Sequence, residues 1–227
     1  AKLVGSSVKF VGIPKTIDND LPVTDHTPGF GSAAKYIATS MTEIIRDSNV
    51  YDLKSVTFVE IMGRNAGWLT AAAALSKTEF CEGPDFILLP EIPLDLQGFV
   101  QKLSDTMKEK GNIIVAVSEG VKDLNGKYLS EDEGNTDAFG HKQLSGTAAY
   151  LAGRVKNMLG VKTRAVEINT LQRAASHIQS KTDIDEAFNI GFLGVKSGAD
   201  GESSVMMYFE RACDLTYLSI VKKCDIK

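Results

Sequence analysis

Cysteine is scarce in this 227-residue chain: Cys81, Cys213 and Cys224 are the full set, and none of them belongs to a C-x-x-C pair. An odd and scattered set of this kind does not fit a disulfide framework or a zinc site. We therefore predict reduced thiols in a cytoplasmic protein.

Long hydrophobic runs and an excess of positive charge are also missing. No apolar stretch approaches the roughly 20 residues that a membrane-spanning helix needs. The formal net charge is −4, with 25 Lys and Arg against 29 Asp and Glu. These features argue against a nucleic-acid or a membrane partner, so an anionic substrate must be bound by a few well-placed cations.

What the chain does have is a regular alternation of short apolar segments and longer amphipathic ones. In residues 34–45, for example, Ile37, Met41 and other apolar side chains recur at helical spacing. Predicted strands lie between such helices, at residues 8–11, 55–62, 86–90, 113–117, 163–169 and 204–209. This alternation is typical of an α/β fold in which helices cover both faces of a mostly parallel sheet.

Several local features complete this prediction. Gly111 is expected to end a helix as a left-handed cap, and Thr182 with Asp185 forms a possible capping box. Residues 121–143 are polar and Gly-rich, which predicts a loop or a small hairpin. The histidines have no metal-ligand spacing, so we predict structural roles for His26, His141 and His177.

Polar residues are concentrated where the predicted strands end. Pro14 cannot donate a ladder hydrogen bond, so residues 14–20, the 14–20 loop, must leave the first strand at its carboxyl end. Three more polar sets follow strands: Met62-Gly63-Arg64, Ser118-Glu119-Gly120 and the region from Arg164 to Arg173. Because parallel strands end at the same edge of a sheet, we expect these groups to converge on one crevice.

The chemistry of these groups suits a phosphorylated substrate. A carboxylate near Lys and Arg stays ionised at neutral pH and can accept a proton from a substrate hydroxyl. Guanidinium groups bind a phosphate through two parallel hydrogen bonds, and Lys15 offers a point charge for a second phosphate. The combination favours phosphoryl transfer.

Four motifs resemble, in order and approximate spacing, those of the 6-phosphofructokinase family: Pro14-Lys15-Thr16-Ile17-Asp18-Asn19-Asp20, Met62-Gly63-Arg64, Ser118-Glu119-Gly120 and Leu171-Gln172-Arg173. The resemblance covers essentially the whole chain. It implies Rossmann-like layers in two lobes. It also implies phosphoryl transfer to the 1-hydroxyl of fructose 6-phosphate, which gives fructose 1,6-bisphosphate in glycolysis.

The resemblance also implies residue roles. Asp18 would be the general base, Lys15 would contact the phosphoryl donor, and Thr16 and Asp20 would hold the transferring group with its Mg²⁺. The sugar phosphate would be bound by Met62, Gly63, Arg64, Glu119, Arg164, Thr170 and Arg173. One arginine of the family usually crosses from a neighbouring subunit, which implies a homodimer or a homotetramer.

Two positions depart from the family pattern. Ser55, next to Lys54, stands where the family usually has Arg, and Thr170 stands where it usually has His or Tyr. Both substitutions affect the expected contacts with the 6-phosphate and across subunits.

Lys15 is the residue on which the phosphoryl donor depends. ATP-using bacterial members usually have Gly there, whereas the Lys form and the sequence of residues 24–32 resemble the pyrophosphate-dependent branch. An ammonium group at this place would also occupy the space of a nucleotide α-phosphate. We therefore expect pyrophosphate as donor. An ATP-dependent 6-phosphofructokinase and a catalytically silent regulatory subunit or sugar-phosphate-binding module are the alternatives.

The family's lobes are each traversed more than once by the chain. By resemblance, residues 1–32 and 171–200 belong to a donor-binding lobe, and residues 33–170 and 201–227 to a sugar-phosphate-binding lobe. The family's Gly-rich strand end and Gly-Gly-Asp loop have no counterpart in the chain. We therefore expect a fragment that lacks the N-terminal donor-binding part and is inactive alone.

Overall fold

The computed structural model describes residues 5, 7–136, 142–144 and 146–226, and only the backbone of residues 131–136 and 142–144. His141, one of the three histidines with a predicted structural role, lies outside the described residues. The chain divides into two compact units. The first unit comprises Ala1–Ala33 and Ser176–Lys227, and the second comprises Ala34–Ala175.

The second unit is built on a four-stranded parallel sheet in the order β3-β4-β2-β7. Its strands are β2 (Ser55–Ile61), β3 (Phe86–Leu88), β4 (Asn112–Ser118) and β7 (Lys162–Glu167). The α-helices that lie wholly or mostly in this unit are α1 (Phe30–Ser48), α2 (Trp68–Ala72), α3 (Leu96–Glu109), α4 (Thr147–Leu159) and α5 (Leu171–Ala174). The predicted α/β class with a parallel sheet is confirmed.

Burial on both faces fits the position of β2 and β4 inside this sheet. Both strands are almost entirely buried, and successive residues point to opposite faces. On one face, Phe58 and Val115 pack with Leu103 of α3 and Leu151 of α4 in one apolar core. Strands buried on both faces need near-continuous apolar sequence, which both segments have.

The first unit contains a smaller, mixed sheet in the order β1-β8-β9. Strand β1 (Val11–Gly12) is parallel to β8 (Val205–Cys213), which is antiparallel to β9 (Leu218–Asp225). Helix α6 (Lys181–Ala199) covers this sheet, with Ile190 buried against Met207 and Phe209.

The structure changes several local predictions. The first strand is shorter than the predicted residues 8–11, and β9 had not been predicted. Gly111 is not a left-handed cap, since α3 ends at Lys110 in an extended conformation. The N-cap of α6 is Ser180, whose hydroxyl accepts from the Asp183 N–H, and not Thr182.

The unit boundaries also differ from the lobes that the resemblance implies. Residues 201–227 fall in the first unit because β8 pairs with β1, and residues 171–175 fall in the second. What each lobe binds stays a prediction. Residues 121–143 do contain part of a hairpin, in which β5 (Glu131–Thr136) pairs with β6 (Lys142–Leu144). None of the helices in the described part of the chain has the length and apolar character of a membrane span.

Candidate active site

The 14–20 loop follows β1 in the first unit, as the sequence predicts. Pro14 and Ile17 are buried and anchor the loop, while Thr16 and Asp18 are half-buried and Lys15 is exposed. The loop therefore offers an ammonium, a hydroxyl and a carboxylate within four consecutive positions.

Hydrogen bonds within the 14–20 loop, and one from Thr27, hold the backbone of this loop. The Thr16 hydroxyl accepts from the Asp18 N–H at 3.1 Å, a local turn that Thr side chains favour. Asn19 has a left-handed φ of +55°, which Asn tolerates better than most residues. From outside, the hydroxyl of fully buried Thr27 donates to the Thr16 carbonyl oxygen at 2.6 Å. The backbone at Asp18 is thus held through its own N–H and through the carbonyl oxygen of Thr16.

Asp183, which is not among the residues predicted for the site, closes the start of α1 beyond this loop. Its carboxylate accepts from the Gly29 N–H at 2.8 Å, from the Ser32 N–H at 3.2 Å and from the Ser32 hydroxyl. A carboxylate at a helix N-terminus is favourable because it pairs with free N–H groups and with the helix dipole. This helix end is therefore occupied by the protein itself.

In the second unit, the ends of β2 and β4 are joined through Gly63. The Gly63 N–H donates to Glu119 Oε1 at 3.4 Å, and the Ser118 hydroxyl donates to the Gly63 carbonyl oxygen at 2.6 Å. Gly63 has a φ of +136°, and a Cβ there would lie 2.4 Å from the Ala66 carbonyl oxygen. Because β2 and β4 are neighbours in the sheet, the structure brings these two predicted motifs together.

Arg64 lies directly against Gly120. A Cβ on Gly120 would stand 1.9 Å from the Arg64 carbonyl oxygen, so the backbone approach requires glycine. The Arg64 Nε is buried and has no hydrogen-bond partner among the described residues. An unpaired buried donor costs about 1–3 kcal/mol, a cost that a bound anion would remove.

Gln172 brings a third strand end to the same place. Its buried amide lies in α5, after β7, and its Oε1 accepts from the Met62 N–H at 3.1 Å. Thr170 and Arg173 lie at the same turn and are exposed, and the Arg173 N–H donates to the Thr170 carbonyl oxygen at 3.0 Å. Gln172 belongs to the Leu171-Gln172-Arg173 motif, but the spacing of residues in the sequence does not predict its contact with Met62.

Arg164 is not brought to this group within the second unit. It pairs in register with Thr57, nearer the amino end of β7 than its carboxyl end. Its guanidinium contacts Asp47 at 3.0 Å, and both side chains are largely exposed. The expectation that the whole region from Arg164 to Arg173 lies at the carboxyl edge is therefore wrong for Arg164. Its contact with a 6-phosphate stays a prediction.

A divalent metal would find few protein ligands in the part of the chain that the structure describes. The described residues hold no group of three or more His, Cys, Asp or Glu side chains that could bind a metal ion. Asp20, in the 14–20 loop, is exposed and supplies one carboxylate. Mg²⁺ commonly binds proteins through one or two carboxylates, with substrate phosphates and water completing its shell. Asp20 fits this mode of binding, as a single carboxylate ligand beside substrate phosphates and water.

Two groups of candidate residues are thus defined, one in each unit. The first is the 14–20 loop, and the second is formed by the ends of β2, β4 and β7. Their meeting in one crevice stays a prediction.

The comparisons with known proteins identify the class. The family model described as Phosphofructokinase matches residues 1–192, and the chain belongs to the phosphofructokinase family. It is 42% identical over 225 residues to the pyrophosphate–fructose 6-phosphate 1-phosphotransferase of Halomonas elongata, a match covering 98% of this chain and 54% of that protein. The protein of the same name from Xanthomonas campestris is 43% identical over 219 residues, covering 96% and 52%.

Solved structures agree with this placement. The pyrophosphate-dependent phosphofructokinase of Nitrosospira multiformis superposes with a TM-score of 0.83 at 38% identity. That match covers 99% of this chain and 53% of the other. The chain spans about half the length of the curated relatives it matches.

Proposed function

We propose that the protein carrying this chain transfers a phosphoryl group from pyrophosphate to the 1-hydroxyl of fructose 6-phosphate. The observation that carries this proposal is the cluster at the ends of β2 and β4, where the buried Arg64 Nε has no hydrogen-bond partner among the described residues and Glu119 accepts from the Gly63 N–H. A guanidinium donor and a carboxylate acceptor at neighbouring strand ends suit a ligand that has both phosphate and hydroxyl groups. The relatives that carry this activity in their names support the same substrate pair.

The proposed roles follow from what each side chain can do. Asp18 is the base that accepts the proton of the attacking hydroxyl, and Thr16 hydrogen-bonds the transferring group. Met62, Gly63, Arg64 and Glu119 bind the sugar phosphate. Arg164, Thr170 and Arg173 are assigned to the 6-phosphate. In phosphoryl transfer the protein contributes position and charge rather than covalent chemistry, which fits a set without an activated nucleophile.

Mg²⁺ is proposed as the cofactor, with Asp20 as its ligand from this chain. The metal supplies charge neutralisation for the phosphoryl oxygens. Asp20 would orient it from the rim of the 14–20 loop, where the side chain is exposed.

Lys15 supports pyrophosphate rather than ATP as donor. Its exposed ammonium is a compact point charge that can neutralise a small inorganic donor. The homo-oligomeric state and the cytoplasmic location expected from the sequence are part of the same proposal.

The test is a turnover assay of the protein carrying this chain, with fructose 6-phosphate, Mg²⁺ and either pyrophosphate or ATP. We expect fructose 1,6-bisphosphate with pyrophosphate and little or none with ATP. Product with ATP alone would favour the ATP-dependent alternative. If neither donor gave product while fructose 6-phosphate still bound, the protein would be a silent sugar-phosphate-binding subunit.

A further inference from the structure

His26 stands between two carboxylates in the first unit. Its Nδ1 lies 2.8 Å from Asp25 Oδ2, and its Nε2 lies 2.8 Å from Glu186 Oε2 on α6. The His26 side chain is only 11% exposed. Its ring also stacks on Phe209 of β8, with the ring centroids 4.7 Å apart and the planes 5° from parallel. The ring is thus fixed at both edges and on one face.

This geometry places a carboxylate acceptor at each edge of the ring. An ionised carboxylate only accepts hydrogen bonds, so a protonated ring nitrogen donates to it. Removing the ring would leave two partly buried carboxylates without this partner, and a buried charge that loses its partner is destabilising.

The surrounding polar groups keep both carboxylates ionised. Burial alone would raise the pKa of Asp25, but hydrogen bonds from His26 and Arg211 lower the pKa below its ordinary value. Burial would likewise raise the pKa of Glu186, and hydrogen bonds from Ser219, Tyr217 and His26 lower it. The Tyr217 hydroxyl, which donates to Glu186 at 2.6 Å, has its pKa raised to about 12 by burial and by that carboxylate.

The backbone around His26 connects β8 to the 14–20 loop. On the β8 side, the Asp25 N–H donates to the Phe209 carbonyl oxygen at 2.9 Å, and the Phe209 N–H donates to the Thr24 hydroxyl at 3.1 Å. On the loop side, Thr27, the next residue after His26, donates its hydroxyl to the Thr16 carbonyl oxygen at 2.6 Å.

We propose that His26 is a positioning residue for Asp18, acting through Thr27 and Thr16. The His26 ring holds residues 24–27 to α6 through Glu186, Thr27 then fixes the Thr16 carbonyl, and the Thr16 hydroxyl fixes the Asp18 N–H. The structural part of this inference depends only on contacts within the first unit. Its kinetic part rests on the proposed function, because there Asp18 is the base.

The experiment compares three variants of the protein carrying this chain. His26→Phe keeps an aromatic ring against Phe209 but removes both contacts with the carboxylates, whereas the amide of His26→Gln can donate to one carboxylate only. His177→Gln is the matched control, since His177 is an exposed histidine of the same unit. Backbone amide hydrogen exchange of residues 15–20 and steady-state kinetics are measured on each.

We expect faster exchange in residues 15–20 for His26→Phe, an intermediate rate for His26→Gln and an unchanged rate for His177→Gln. The kcat of His26→Phe should fall by about 100-fold, the loss typical of a catalytic group displaced by about 1 Å, with an unchanged dissociation constant for fructose 6-phosphate. Unchanged exchange in His26→Phe would overturn the proposal. Exchange that rose equally throughout the first unit would also overturn it, in favour of a general structural role.

The proposed function and the positioning role of His26 give different results in these measurements. A wild-type protein without turnover would contradict the proposed function, and the exchange measurement would still decide whether His26 positions the loop. Wild-type turnover with unaltered kcat in His26→Phe would contradict the positioning role alone.

Discussion

Gln172 accepts a hydrogen bond from the Met62 N–H at 3.1 Å, across 110 positions of sequence. The other end of the same amide donates to the Asn169 carbonyl oxygen at 2.9 Å. One buried side chain thus holds the turn after β7 against the turn after β2. These two turns carry five of the residues assigned to sugar-phosphate binding, Met62, Gly63, Arg64, Thr170 and Arg173.

Replacing this amide should loosen the cluster. Gln172→Met keeps the length of the side chain but leaves the Met62 N–H and the Asn169 carbonyl oxygen without their partner. We expect a loss of about 1–3 kcal/mol in the free energy of unfolding, the cost of unpaired buried groups, and weaker binding of fructose 6-phosphate. Urea unfolding and calorimetric titration measure the two effects.

Gln101→Met is the control for that substitution. Gln101 is exposed on α3, and its amide donates to Asp105 one turn further along the helix. We expect little change in either quantity. Equal losses in both variants would show that the Gln172 contacts are unimportant.

The contact between Gly120 and Arg64 makes a second prediction. A Cβ at Gly120 would lie 1.9 Å from the Arg64 carbonyl oxygen, so Gly120→Ala must displace the Arg64 backbone. Because placement errors of about 1 Å can cost about 100-fold, we expect at least that loss in kcat/KM for fructose 6-phosphate.

Gly153→Ala provides the comparison, because Gly153 is in α4 and a Cβ there would meet no described atom within 4 Å apart from the helix's own backbone and chain neighbours. Alanine in a helix should raise the free energy of unfolding by up to about 1 kcal/mol and leave the kinetics unchanged. Wild-type kinetics in Gly120→Ala would contradict the close approach.

Glu60 should make stability depend on pH in a defined direction. Its buried carboxylate accepts N–H groups of Gly146 and Ala148 at the start of α4, at 3.2 and 2.8 Å. Burial nevertheless raises its pKa above the ordinary 4.5, and the charge of Glu167, its neighbour in register, adds to the rise. The folded protein therefore binds this proton more tightly than the unfolded chain does.

The linkage between proton binding and folding gives the direction of this pH dependence. The contribution of Glu60 to stability is fully present below its unfolded pKa of about 4.5, and it is lost as the pH rises through the raised folded pKa. The free energy of unfolding of the wild type, relative to Glu60→Gln, should fall over that window in urea titrations at a series of pH values. Glu167→Gln removes the charge but not the burial, so it should reduce this dependence only partly. An opposite slope would show that the two N–H bonds outweigh burial.

Much of the fold was predictable because buried parallel strands leave a strong sequence pattern. Segments such as residues 113–117 are continuously apolar, and each is followed by polar residues and an amphipathic helix. The order of these segments placed the motifs ending in Arg64 and Gly120 after strands, and the structure puts them after adjacent strands.

Other elements were missed for physical reasons. Strand β9 has few buried residues, because only one face of it meets the core through Val221, and so its apolar pattern is weak. For the start of α6, Ser180 with Asp183 and Thr182 with Asp185 have the same capping spacing. The structure selects the first pair, and Asp183 also reaches the start of α1.

The long-range contacts of the candidate site could not be predicted from one sequence. Asp183 meets Gly29 across 154 positions, and Glu186 meets His26 across 160. Arg164 was misplaced for a related reason: its place along β7 depends on a register with β2 that residue types alone do not define.

Asp18→Asn in the protein carrying this chain tests whether Asp18 is the base of a phosphoryl transfer to fructose 6-phosphate. The amide keeps the size of the side chain but cannot accept the hydroxyl proton, so we expect kcat with pyrophosphate to fall by about 10²–10⁴-fold. Binding of fructose 6-phosphate should be unchanged, and Asp225→Asn, an exposed aspartate of the same unit, should alter neither quantity. Wild-type kcat in Asp18→Asn would show that Asp18 is not the base.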